Sequence, residues 1–313
     1  MSDVTGAWPA LPVAAWEDTR DTLHLWTQIV GKVRLGLEPW VNHSWQVPLY
    51  VNARGLTTSL MPSGRRGVEI QFDFTRHLLQ IRTTDGAERQ VRLEPRTVAD
   101  FYADTLARLA ELDVTVEILP RPVELPEAIP FPEDKTHASY DAQCAHRFWQ
   151  SLVQAQRVLT EFRSRFVGKV SPVHFFWGAF DLAVTRFSGR DAPRHPGGVP
   201  NCADWVMEDA YSQEVSSCGY WPGGASEGVF YAYAYPEPDG FRTWPVEPEE
   251  ATYDPGLGEF VLPYEVVRRA GDPDATLLSF LQTTYEAAAE PGGWDRRRLE
   301  RRLPMTGTPV NSP

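Results

Sequence analysis

Two histidines mark where this chain can move protons. His43 opens HSWQVPLYV (43–51) and His174 opens HFFWGAFDLAV (174–184); each stands two or three residues ahead of a tryptophan, Trp45 or Trp177. An unperturbed imidazole titrates near neutrality, so either residue suits general acid–base work at a cavity wall. The competing role is that of a core histidine hydrogen-bonded to backbone. The second segment runs on to Arg190. Read as one strand, its alternation places His174, Phe176, Gly178, Phe180, Leu182, Val184 and Arg186 on one face, and Trp177 and Asp181 on the other. An aspartate among aromatics needs a partner, and the nearby arginines are its candidates.

A second group lies in residues 190–228, rich in proline and glycine, within which a short helix is expected over 202–214. Asp204, Glu208 and Tyr211 fall on one face of it by their i, i+4, i+7 spacing. Paired carboxylates can divide acid and base roles, although a solvated helix face has the same pattern. Long loops and interfaces between halves favour ligand sites. The sequence therefore predicts one pocket, with His174, His43 and Glu214 as catalytic groups and Trp177, Arg186, Trp205, Tyr211 and Trp221 as its binding wall. No metal is expected. His137, His146, His174 and His195 offer nitrogen, Asp141, Asp181, Asp204 and Glu214 offer oxygen, and Cys202 and Cys218 offer sulfur, but no HExxH, HxH or CxxC spacing appears. The GG and PGG pieces lack a phosphate-loop frame, and no GxSxG elbow is present. No cofactor is indicated.

Composition narrows the partners. The net charge is −12 and no basic stripe stands out, which argues against nucleic acid. Lysine occurs only at Lys32, Lys135 and Lys169, the other basic residues being arginine. No apolar run is long enough to cross a membrane, and the first residues, MSDVTGAWPALP, do not read as a secretory signal. Three cysteines make no disulfide framework, so a cytoplasmic protein is expected. Eleven tryptophans serve a core by default, and a ligand wall otherwise.

The elements that must hold these residues follow from periodicity. Asp18 to Val30 reads as a helix, with Gly31 as its stop. Strands are expected over 47–61, broken at Arg54-Gly55, and over 68–74, 77–83, 88–94 and 114–119. Thr97 caps a helix running to Leu112. Pro120, Pro122, Pro126, Pro130 and Pro132 make 120–136 a stiff linker. Beyond it come a helix from Asp141 to Val167, strands at 229–236 and 259–264, and a helix from Thr276 to Glu290. IVGK (29–32) and FVGK (166–169) begin parallel successions of aromatic segment, strands and helix. The fold class is thus α+β: two pseudo-repeated halves of helix, antiparallel strands and helix, packed together. The first is 1–125 with an N-terminal arm, the second is 137–295 with an insertion at 190–228, and 296–313 is a tail.

WPALP (8–12), DTLHLWTQIVGKVRL (21–35), PWVNHSWQVPLYVNARGLTTS (39–59), VHFFWGAFDLAVTRFSGR (173–190) and EVSSCGYWPGG (214–224) together resemble a bacterial family of unknown function, DUF5996. The resemblance spans roughly residues 8–295. It implies no reaction, cofactor or fold, and so carries over no catalytic residue. Cys202 and Cys218 lie outside the family pattern, which speaks against a thiol mechanism. Three readings follow: an enzyme acting on a small organic molecule between the halves, a non-catalytic binder of an aromatic or apolar ligand, and a structural or interaction module. An enzyme needs a titratable wall, a binder an aromatic one, and an interaction module a flat apolar patch.

Overall fold

A computed structural model describes residues 7–301. Among them the chain forms seven α-helices and two six-stranded antiparallel sheets. The first half begins with α1, Glu17–Leu37, which carries Glu17 and Asp18 in its first turn and Arg34 in its last, as the helix dipole favours. Gly31 does not stop this helix. The Trp177 ring lies so close that a Cβ at position 31 would stand 2.2 Å from it, so glycine lets the ring lie against the helix. The first sheet follows: β1 (Tyr50–Val51), β2 (Gly55–Thr57), β3 (Met61–Ser63), β4 (Arg66–Asp73), β5 (Leu78–Thr83) and β6 (Glu88–Arg92). Its order is β1-β2-β4-β5-β6, with β3 also on β4. Then comes α2, Val98–Glu111, whose Thr97 side chain caps the Asp100 N–H. VTVEIL pairs with no strand. It runs extended beside α1, where Val116 and Glu117 pack onto Gly36.

The proline-rich segment is packed rather than free. Phe131 is buried, and Val123 exchanges hydrogen bonds with the Gln28 side chain of α1. In the second half, Asp141 caps α3, Ala142–Ser164. The second sheet has the order β11-β12-β10-β9-β8-β7. Its strands are β7 (His174–Phe176), β8 (Asp181–Asp191), β9 (Gln213–Trp221), β10 (Val229–Tyr235), β11 (Thr252–Asp254) and β12 (Glu259–Pro263). The remaining helices are α4 (Asp204–Ala210), α5 (Tyr264–Arg269), α6 (Pro273–Ala289) and α7 (Arg296–Leu299). Residues 190–228 are thus not one excursion: β9 is a central strand, and 192–212 and 222–228 lie outside the sheet on either side of it. Residues 296–301 are tied down by α7 and by a bridge between Phe166 and Glu300, and the rest of the expected tail lies outside the described residues.

The halves share one apolar core. The sheets meet edge to edge, where Leu49 and Phe175 exchange two backbone hydrogen bonds of 2.9 Å. The N-terminal arm crosses to the far half. Trp8 is buried against Phe230 and Tyr264, and the Tyr264 hydroxyl donates to the Pro9 carbonyl. IVGK lies inside α1 whereas FVGK lies beyond the end of α3, and α4 interrupts the strands of the second half, with no counterpart among the strands of the first.

Candidate functional site

The second sheet has two unlike faces. One carries Phe175, Leu182, Val184, Cys218, Tyr220, Phe230, Phe260 and Leu262, all buried. The other is polar. Ala183, Gly219, Tyr231 and Val261 stand side by side across four strands, and Thr185, Ser217 and Tyr233 form the next row. Small residues beside tyrosines let the phenols lie flat along the sheet. A Cβ on Gly219 would come within 2.6 Å of the Tyr231 hydroxyl, so its absence lets that hydroxyl reach across and donate to the Asp181 carboxylate. In the next row Tyr211 and Tyr233 share a 2.8 Å hydroxyl contact, and Thr185 and Ser217 one of 2.9 Å.

Asp181 is buried, and its expected arginine partner is absent: Tyr231 takes that place. Burial pushes its carboxyl up to about 7, with repulsion from Glu124 and Glu259 adding to the rise and the Tyr231 bond opposing it. Burial likewise pushes Glu259 to about 7, and Asp254 adds to it. Glu124 keeps contact with solvent on one side while neighbouring chain crowds the rest. That crowding lifts its carboxyl to about 7, and water at the open side tempers the effect. Glu124 packs against Gly178, where a Cβ would stand 1.9 Å from Oε1, and its backbone N–H donates to the Pro200 carbonyl. The Gly178 carbonyl in turn faces the His24 ring of α1 at 2.8 Å. Glu124, Phe180 and Asn201 all hold positive φ, a conformation that costs a non-glycine residue energy and that gathers at functional sites. The carboxylates therefore sit where linker, β7–β8 turn and insertion converge. Across from Glu124 lie Cys202 of the insertion and Lys32 of α1, close enough to perturb each other's ionisation.

The predicted pocket does not assemble. Residues 177–180 form a turn, so the expected single strand is two, and His174 stands opposite Ala183 on the polar face while Arg186 points the other way. Arg186 is a core residue, its guanidinium stacked 3.4 Å from the Phe162 ring centre and near Tyr285 and Phe166. His174 is fully buried among Trp45, Tyr50 and Phe176. Its Nε2 lies 3.4 Å from the Tyr50 hydroxyl, its Nδ1 has no partner among the described residues, and burial with Arg34 and Arg163 nearby lowers its pKa to about 3. Burial thus favours its neutral form. His43 does reach the second half, with Nδ1 3.1 Å from the Asp209 carbonyl and Nε2 2.5 Å from the Lys169 ammonium, but Trp45 separates it from His174.

Glu214 lies on β9, bonded to Arg190 at 2.6 Å, in a small groove of about 100 Å³ that includes Tyr235, Pro236 and Trp294. The pair satisfies itself, and this groove holds none of the three raised carboxylates. Trp205 is exposed against Trp40, and Trp221 ends β9 beside Gly223 and Gly224. Asp204, Glu208 and Tyr211 separate: Asp204 binds the Gly198 N–H, Glu208 pairs with Arg194, and Tyr211 stacks on His195. Of the eight predicted residues, Tyr211 and Trp177 adjoin the carboxylates. Lys32, Glu124, Glu259, Tyr231 and Tyr233 were missed, though VFYAYAY does present Tyr231, Tyr233 and Tyr235 on one side of a strand whose other side is apolar. Among the described residues no group of three His, Cys, Asp or Glu side chains is placed to hold a metal ion, and no helix is long and apolar enough to cross a membrane.

The fold is thus a mixed α+β protein of two antiparallel sheets with a carboxylate–tyrosine cluster on the polar face of the second. The chain belongs to the family of unknown function DUF5996, whose model matches residues 8–301. Neither the curated proteins nor the solved structures contain a match.

Proposed function

We propose that this protein is an enzyme that handles a small organic molecule by proton transfer, at a site formed by both halves. The observation that carries the reading is the Tyr231–Asp181 hydrogen bond facing Glu124 and Glu259. A carboxyl group with a pKa near 7 can both give and take a proton at neutral pH, and Tyr231, itself held protonated by burial, orients Asp181. None of the three carboxylates pairs with a cation among the described residues, so the charge is available to a substrate. Three unpaired cysteines suit a reducing compartment, and we place the activity in the cytoplasm. Duplication of one ancestral half accounts for a reciprocal contact: Lys32 stacks on Trp177 of the other half, and Lys169 stacks on Trp45.

Native mass spectrometry of the purified protein and a thermal-shift screen of small organic acids, amines and carbonyl compounds test the reading. A ligand that raises the melting temperature of the wild type should lose that effect in Asp181→Asn and Tyr231→Phe, with circular dichroism as the fold check. Ligands whose shifts ignore both substitutions, or depend instead on Arg190 and Glu214, overturn it. The tyrosines also suit a non-catalytic binder, for which Tyr233→Phe or Tyr211→Phe would abolish binding while Asp181→Asn would not.

A further inference from the structure

We infer that Lys32 is the nucleophile of this site and that the substrate carries an aldehyde or ketone, captured as an imine on its Nζ. This rests on the site reading above and specifies the substrate class. Lys32 is 4% exposed as a residue, its ammonium keeps only a sliver of solvent contact, and it has no hydrogen bond or ion pair among the described residues. An ammonium is a strongly hydrated charge, and burying it unpaired is costly. The Trp177 ring, 5.8 Å away, supplies only a weak compensating attraction. Chains usually avoid this arrangement, and Lys169 illustrates the ordinary solution, held by His43 and Gln213. Lys135 is exposed. Of the lysines, Lys32 alone is both buried and unpaired among the described residues, and it lies within electrostatic reach of Cys202, which is in turn within reach of Glu124.

The chemistry follows from that placement. Desolvation lowers the Lys32 pKa to about 8, so about a tenth of the amine is unprotonated at pH 7. Its lone pair attacks the carbonyl carbon, and the C=O π pair moves to oxygen, which takes a proton from the Glu124 carboxyl. The nitrogen returns a proton to the Glu124 carboxylate. The carbinolamine hydroxyl then takes that proton and leaves as water, and the nitrogen lone pair forms the C=N bond. The iminium N–H then returns its proton to the Glu124 carboxylate, so that amine and carbonyl become imine and water, with Glu124 restored and no oxidant or reductant. Cys202 has its thiol pKa raised by burial, which leaves the amine as the nucleophile.

The experiment is reductive trapping. The intact protein is incubated with glyoxylate, pyruvate or 4-carboxybenzaldehyde, reduced with cyanoborohydride, digested and mapped by mass spectrometry. At least one probe should be fixed at Lys32, at least tenfold faster at pH 7 than at Lys135, with a rate midpoint near pH 8, and Glu124→Gln should slow the fixation severalfold. Lys32→Arg, with Lys32→Met as a second variant and circular dichroism as the fold check, should remove this adduct. Fixation no faster at Lys32 than at Lys135 or Lys169, or none at Lys32 with all three probes, overturns the inference. If that happens while ligand shifts still depend on Asp181, the nucleophile fails and the site stands. Trapping at Lys32 alongside shifts indifferent to Asp181 upholds the nucleophile and removes Asp181 from the site.

Discussion

At the scale of single residues, Asp181 makes a claim that can be read from stability alone. Its carboxyl moves from an ordinary 3.8 to about 7 on folding. Between those values the folded protein holds a proton that the unfolded chain has released, so stability falls as pH rises through the window and levels off above about 7. Asp181→Asn removes that loss. In urea unfolding the variant should gain on the wild type from pH 5 to pH 8, by on the order of 1–2 kcal/mol, since Glu124 and Glu259 share the coupling. A constant difference across that range contradicts a buried, proton-bearing Asp181. Residue type alone points to His43 and His174 because imidazoles titrate at neutral pH, but type carries no information about burial. Glu124, Glu259 and Lys32 are hidden for the converse reason. Glutamate and lysine are ordinary surface residues until the fold desolvates them.

At the scale of elements, periodicity finds those whose two sides differ. The capped helices after Thr97 and Asp141 and the β4–β5 hairpin emerge close to their observed limits. It fails where tertiary contact decides. VTVEIL alternates like a strand but finds no partner. Gln213–Trp221 looks like loop because Ser216, Ser217 and Gly219 are small and polar, yet those residues make room for the tyrosines of the neighbouring strand. Gly31 reads as a helix stop, whereas it is a seat for Trp177. Gly31→Ala isolates this last point. Alanine is the better helix former by about 1 kcal/mol, but a methyl group under the indole overpacks the contact, at a typical cost of about 1–3 kcal/mol. Thermal unfolding should show a net loss of stability, and a stabilised variant would mean that the indole does not rest on the helix.

At the scale of the whole molecule, two groups of antiparallel strands are legible from the sequence, while the manner of their joining is not, because backbone pairing such as Leu49 with Phe175 leaves no mark in composition. An apolar, proline-containing arm reads as a surface strap, but Trp8 is 2% exposed in the core of the opposite half. Trp8→Ala should therefore cost about 3–5 kcal/mol, and unfolding followed by fluorescence and by circular dichroism should remain a single coincident transition, since both halves share the core. A loss below about 1 kcal/mol would show that the arm is dispensable. The arm also constrains how the protein is made. Trp8 leaves the ribosome long before Phe230 and Tyr264 exist, so it must wait, unburied, until those strands and helices of the second half have been synthesised. Domains commonly mature in the order of their translation; here a late stretch completes the shelter of an early one, and a first half made alone would lack the seat for Trp8.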